Sequence, residues 1–169
     1  LDAARARGIA VFATPDVLSD ACAEAGMLLL LGAARRVTES IELVRSGRWT
    51  GWTPTQLNGV TLAGKRLGIV GMGRIGRAVA QRARAFGMDI HYANRSRLAP
   101  DLEDGATYHA DVEALLGVSQ FLLLACPATP ETTGLLDARR LGLLPRGAIV
   151  ANIGRGPVVV DADLIDALI

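Results

Sequence analysis

Lys65-Arg66-Leu67-Gly68-Ile69-Val70-Gly71-Met72-Gly73-Arg74-Ile75-Gly76 runs from a short apolar, β-branched segment into three glycines spaced G-x-G-x-x-G. The residues that follow, to Phe86, place apolar side chains at 75, 78, 79, 83 and 86, the spacing of one helical face. Strand, glycine turn and helix in that order are the context a dinucleotide fingerprint requires. Each glycine has its own reason. Gly71 permits a tight turn, Gly73 leaves room for a pyrophosphate, and Gly76 lets the helix pack closely on the strand. Free N–H groups and the positive end of the helix dipole then face the phosphates. The plainer alternative is a glycine-rich turn in an α/β domain that binds nothing.

Working outward, strands and helices alternate. Met88-Asp89-Ile90-His91-Tyr92-Ala93 reads as a second strand, Ala106-Thr107-Tyr108 as a weak third, and Asp111 to Leu116 as a helix with an acidic cap. Phe121-Leu122-Leu123-Leu124-Ala125 and Ala148-Ile149-Val150-Ala151-Asn152 are continuous apolar runs, as strands buried on both faces should be. Thr129 to Thr133 opens a loop and helix that ends near Leu144-Pro145. Upstream, Gly8 to Ala13 is expected as a short strand ending at Thr14-Pro15. A helix capped by Asp16 or Ser19 is expected to run from there to about Arg45. The pattern predicts a doubly wound parallel sheet of the Rossmann type.

At 169 residues the chain suits a single domain with an aliphatic core, since 50% of residues are apolar and only 4% aromatic. A net charge of +1 argues against a nucleic-acid tail or a basic membrane patch. The apolar run Ala21 to Ala34 contains Glu24 and is shorter than the roughly 20 residues of a membrane span, so a buried helix is expected there. Cys22 and Cys126 lack metal-ligand spacing, and free thiols in a reduced cytoplasmic protein are the simplest reading. Trp49 and Trp52 lie in a glycine-rich loop, either packed under it or presented to a partner. The chain starts at Leu1 and stops at Ile169 inside a helical pattern. We therefore expect part of a longer protein, residues 1–169 being a dinucleotide-binding domain incomplete at both ends.

The end of the second strand carries the nucleotide preference. An acid about 20 residues past the first glycine would accept bonds from the adenosine ribose. Here the strand ends in Asn94-Arg95-Ser96-Arg97, with Asn94 in the acid's place. The missing carboxylate removes repulsion against a 2′-phosphate, and two arginines and a hydroxyl attract one. NADP is thus expected over NAD, the alternative being a solvated basic turn with Asn94 still bonding a NAD ribose. Ligands of open parallel sheets bind beyond the carboxyl ends of strands. Cys126-Pro127 would there form an apolar wall for an adenosine face. Arg155, between Gly154 and Gly156 just past a buried strand, would hold a substrate carboxylate and carbonyl beside the nicotinamide.

The glycine turn, Cys126-Pro127 with Thr129-Pro130-Glu131-Thr132, and Asn152-Ile153-Gly154-Arg155-Gly156-Pro157-Val158-Val159 together resemble the D-isomer-specific 2-hydroxyacid dehydrogenase family. Gly51-Trp52-Thr53-Pro54 is most similar to its glyoxylate and hydroxypyruvate reductase branch. The resemblance runs from about Ala13 to the end of the chain. It implies a nucleotide-binding domain inserted in a substrate domain, reduction of a small 2-oxo acid to a D-2-hydroxy acid, and a homodimer. It assigns the catalytic arginine to Arg155 and places a glutamate and a histidine beyond Ile169. His91 and His109 match neither, and both are expected to be structural or solvent-facing. It implies cofactor contacts at Arg74, Ile75, Asn94, Arg95, Ser96, Cys126, Pro127, Thr132, Ile153 and Gly154, with Arg97 added for the 2′-phosphate. Ile153-Gly154 departs from the family's usual threonine-alanine, which leaves backbone contacts plausible. On its own the chain is expected to bind nucleotide without turning over substrate. A nucleotide-sensing corepressor, a methyltransferase or a flavoprotein could share the glycine turn, though the last two leave Arg155 unexplained.

Overall fold

Residues 1–14 and 16–169 are described by the structure, a computed structural model. Five strands, β1 (Arg66–Val70), β2 (Asp89–Ala93), β3 (Thr107–His109), β4 (Phe121–Leu124) and β5 (Ile149–Asn152), form one sheet in the order β3-β2-β1-β4-β5. Every neighbouring pair is parallel. The helices are α1 (Asp2–Ala6), α2 (Ser19–Ala34), α3 (Val37–Arg45), α4 (Arg74–Ala85), α5 (Pro100–Glu103), α6 (Val112–Val118), α7 (Ala138–Leu141) and α8 (Asp161–Leu168), with a 3-10 turn at Gly156–Val158. The result is the expected Rossmann-like α/β fold.

The continuous apolar runs are explained by two cores, one on each sheet face. Leu67, Ile69, Ile90, Tyr92, Phe121, Leu123 and Ala151 pack with residues of α2 and α4 on one side. Val70, Ala93, Leu122 and Leu124 pack with Leu115, Leu116, Leu136 and Val158 on the other. Successive side chains of a strand point to opposite faces, so β4 must be apolar at every position. Strand order reverses between β1 and β4, and the crevice at that switch point lies beyond Val70 and Leu124.

The structure departs from several expectations and decides between others. Residues 8–13 form no strand. Among the described residues they pair with no strand, the Ile9 N–H turning back to the Ala4 carbonyl of α1, and Ile9, Val11 and Phe12 are exposed; Pro15, where that strand was to end, lies outside the described residues. The helix expected to reach Arg45 is two helices, broken at Arg36 in the left-handed region (φ 53°). The break is set from outside: Val60 donates to the Ala34 carbonyl at 2.8 Å, and Gly59 packs so closely there that a Cβ would collide with that oxygen. Neither Asp16 nor Ser19 caps α2, which starts after Leu18 without a side-chain cap. Helix α2 is not wholly buried either. Ala23, Gly26, Met27, Leu30 and Ala34 face the core while Leu28 is 70% and Leu29 48% exposed. Trp49 and Trp52 are exposed rather than packed under their loop. Asp111 does cap α6, accepting from the Glu113 N–H at 3.1 Å.

Leu123 and Leu28 test this division of α2 and the sheet. Leu123→Ala should lower unfolding free energy by about 2–5 kcal/mol, whereas Leu28→Ala should change it by less than about 0.5 kcal/mol. Urea unfolding with unchanged m-values is the measurement.

Candidate nucleotide-binding cleft

The turn after β1 is shaped by what glycine alone tolerates. Gly71 has φ 94°, and a Cβ there would lie 2.7 Å from the Cys126 nitrogen. A Cβ on Gly76 would lie 2.5 Å from the Gly71 carbonyl oxygen and press on Ile69. Gly73 differs, since a Cβ there would meet nothing within 4 Å. The fold itself does not require glycine at 73, and the space in front of it is open to a ligand. Gly73 is also the N-cap of α4, and no side chain caps that helix. The first-turn N–H groups therefore have no intrahelical acceptors and present a partial positive charge to the cleft.

Two connected hollows meet at this turn and share Gly71, Gly73 and Ala125. The larger, about 420 Å³, also collects Asn94, Arg95, Ser96, Cys126, Pro127 and Thr132 from the ends of β2 and β4. The smaller, about 320 Å³, holds Arg74, Ile75 and Gly76 beside Thr14, Asp16, Leu18 and Ser19. Arg74 Nε pairs with Asp16 Oδ1 at 2.6 Å, a pair exposed on both sides. Asn94 is tied into the turn: its Oδ1 accepts from the Met72 N–H at 2.7 Å. Thr132 stiffens the opposite wall. Its hydroxyl donates to the Pro127 carbonyl at 2.6 Å and accepts from the Thr129 N–H at 2.8 Å.

Burial pushes the Cys126 thiol above its ordinary value, so it serves as apolar wall and not as nucleophile. Glu131 also lines the larger hollow, a residue that sequence reasoning met only as part of a motif. Its carboxyl is held below the usual range chiefly by the Thr129 hydroxyl and, further down the order, by Arg95. A carboxylate thus faces the cation at the cleft mouth.

Arg97, counted with Arg95 as a phosphate ligand, does not line the cleft. Its Nε and Nη2 grip both oxygens of Glu103 at 2.8 and 2.9 Å. Glu103 is buried and also accepts from Tyr92 Oη at 2.6 Å. Arg97 first and Tyr92 second hold the Glu103 carboxyl down at about 2.

Ile153, Gly154 and Arg155 line neither hollow but adjoin them. The N–H groups of Ile153 and Gly154 donate to the Leu124 carbonyl at 3.0 and 3.1 Å, and a Cβ on Gly154 would lie 2.5 Å from the Cys126 carbonyl oxygen. Asn152 brackets the turn: Oδ1 accepts from the Gly154 N–H at 2.9 Å while Nδ2 donates to the Arg155 carbonyl at 3.0 Å. Sequence reading passed over that role. The Arg155 side chain is exposed, donates only to the neighbouring Gly154 carbonyl, and forms no ion pair among the described residues. His91 and His109 bond each other, Nδ1 to Nε2 at 2.9 Å. They sit on β2 and β3, at least three strands from β5, or roughly 14 Å at ordinary strand spacing. The described residues contain no cluster of three or more metal-ligating side chains and no helix long and apolar enough to cross a membrane.

Residues 27–169 match the family described as "D-isomer specific 2-hydroxyacid dehydrogenase, NAD binding domain". The chain is 45% identical to a glycerate dehydrogenase of Hyphomicrobium methylovorum over 170 residues, covering 99% of this chain and 53% of that protein. It is 44% identical to a glyoxylate reductase of Thermococcus litoralis over 172 residues, covering 99% and 52%. A solved structure from Polaromonas sp. JS6 66, assigned to the D-isomer specific 2-hydroxyacid dehydrogenases, superposes with a TM-score of 0.96 at 57% identity, over 99% of this chain and 52% of that one. The chain spans about half the length of the curated relatives it matches.

Acid unfolding probes the buried carboxylate. Glu103 is depressed from an ordinary 4.5 to about 2 in the folded state. Its contribution to stability is therefore complete above pH 4.5 and is lost as pH falls toward 2. Glu103→Gln should flatten the pH dependence of the urea midpoint across that window, relative to the unsubstituted chain.

Proposed function

From its membership of the D-isomer-specific 2-hydroxyacid dehydrogenase family, to which the chain belongs, we propose that residues 1–169 are the nucleotide-binding part of a reductase. It would act on small 2-oxo acids of the glyoxylate or hydroxypyruvate type. The observation that carries the reading is Gly73: open space in front of a glycine, at an uncapped helix N-terminus, fits a pyrophosphate. Gly71, Gly73, Arg74, Ile75 and Gly76 would hold that pyrophosphate. Asn94, Arg95 and Ser96 would hold the adenosine ribose, and Cys126, Pro127 and Thr132 would wall the base. Ile153 and Gly154 would border the nicotinamide. A reduced nicotinamide bound there supplies the hydride.

The chain's own contribution to chemistry is Arg155. Its guanidinium, without an ion pair among the described residues and carried on a turn whose backbone Asn152 brackets, would bind the carboxylate of a 2-oxo acid and polarise its carbonyl. Neither histidine of the chain is placed near that point, and the family membership implies a D-2-hydroxy acid as the product. Both named relatives are a reductase and a dehydrogenase, which supports catalysis over nucleotide sensing. Two free thiols are in keeping with the cytoplasm.

Asn94 in place of an acid, with Arg95 and Ser96 at the mouth, supports NADP(H) as the preferred coenzyme; Glu131 opposes it. The reading also includes a homodimer. Leu28, Leu29, Ile41, Val44, Trp49 and Trp52 are exposed apolar side chains on α2, α3 and the following loop, which supports it.

Nicotinamide fluorescence on titration with NADPH and NADH tests the reading. NADPH should bind more tightly, and NADH binding equally well or better would refute the preference. Gly73→Ala should lower the unfolding free energy by no more than about 1 kcal/mol, the cost of alanine at an N-cap, yet weaken both coenzymes on the order of tenfold; unchanged affinity would refute the placement of the pyrophosphate. Glu131→Gln should tighten NADPH by a fewfold and NADH little, by removal of one repulsion at the mouth.

A further inference from the structure

The loop after β2 is anchored at both ends, and at the far anchor Arg97, Tyr92 and Glu103 lie outside the lining of the larger hollow while Leu98 borders it. At its near end Asn94 accepts from the Met72 N–H. At its far end Arg97 grips Glu103 through two bonds, and the Leu98 N–H donates to Tyr92 Oη at 3.0 Å. Tyr92 Oη donates in turn to Glu103. Only Arg95 and Ser96 lie between the anchors, and both line the larger hollow. Glu103 is the C-terminal residue of α5, and its backbone carbonyl accepts from Arg84 of α4 at 3.0 Å. The anchor is thereby tied to the same helix whose N-terminus faces the cleft.

We propose that Glu103, Arg97 and Tyr92 form a positioning device for the adenosine end of the cleft, which holds Arg95 and Ser96 at the mouth while Arg97 serves as an anchor and not as a phosphate ligand. The proposal rests on the nucleotide reading above. Its physical reason is the burial of Glu103. A buried carboxylate that loses its cation leaves an uncompensated charge, so Arg97 cannot swing out to a phosphate without a compensating gain. The guanidinium also stands 6.0 Å from the Tyr108 ring centroid, a second attraction that holds it on the β3 side. Among the described residues Arg95 forms no ion pair of this kind, Glu131 of the same hollow acting on it without one, and Arg95 is therefore the cation available to a 2′-phosphate. Pinning a two-residue span removes the entropy that a free loop would lose on binding. The device therefore acts on coenzyme selectivity through residues that it does not itself bring to the ligand.

The test measures dissociation constants for NADPH and NADH on the unsubstituted chain and on Glu103→Gln, Arg97→Met, the double variant and Tyr92→Phe. Circular dichroism checks the fold. Tyr92→Phe is the mildest change, since it removes only the hydroxyl that joins Leu98 to Glu103. On this account Glu103→Gln and Arg97→Met each weaken NADPH by about tenfold and NADH much less. The double variant is no worse than the worse single, because the pair acts as a unit. Tyr92→Phe falls between them and the unsubstituted chain. A Glu103→Gln variant that binds NADPH as tightly as before, or more tightly, would overturn the proposal, since Arg97 would then be a phosphate ligand released from restraint. Equal losses for NADPH and NADH would also overturn it, by reducing the network to general stability. Binding of neither coenzyme by the unsubstituted chain overturns the nucleotide reading itself, a distinct result.

Discussion

The close approach of two strand ends at the switch point governs the rest of the structure. Gly71 and Cys126 are pressed so tightly that even a methyl group between them would stand 2.7 Å from backbone. That contact brings the glycine turn after β1 against the loop after β4, and Gly154 repeats the arrangement against the Cys126 carbonyl. Three consecutive strand ends thus converge with little side chain between them. The crevice is lined by backbone N–H groups, an uncapped helix and short polar side chains, which suits a long, charged, flat ligand.

Charge is distributed unevenly around this crevice. Each arginine near it has a different restraint. Arg74 is paired with Asp16 at the surface, Arg97 is locked to a buried carboxylate, and Arg155 has only a neighbouring carbonyl. Arg95 stands at the mouth with Glu131 opposite. Exposed pairs of the Arg74 type contribute little to stability and exchange partners at small cost. The Arg97–Glu103 pair, with its carboxylate buried and its guanidinium exposed, exchanges partners only at a larger cost. The division separates arginines that hold the protein together from those that remain available to a ligand.

Much of this was legible in the chain. The β1–α4 unit announces itself through periodicity and the placement of three glycines, and β4 through an apolar run with no polar interruption. The features missed are set by contacts or lengths that periodicity does not report. Residues 8–13 have strand-like composition, yet a strand needs a partner. The α2–α3 break is imposed by Gly59 and Val60, more than twenty residues further along. Helix α5 is too short for a periodic signal, although Pro100 at its first turn marks it. Arg97 and Glu103 are six residues apart, no helical neighbours, and only the folded loop joins them. Asn152 was read as the end of a strand, while its side chain sets the geometry of the next three residues.

The account stands or falls on where a dinucleotide lies on this chain. A crystal structure of the chain with NADPH would decide it. The account predicts pyrophosphate oxygens within hydrogen-bond distance of the N–H groups at Gly73 to Ile75. It further predicts the 2′-phosphate against Arg95 and Ser96, with Arg97 still on Glu103. A pyrophosphate bound away from Gly73, or a 2′-phosphate that draws Arg97 off Glu103, would contradict it.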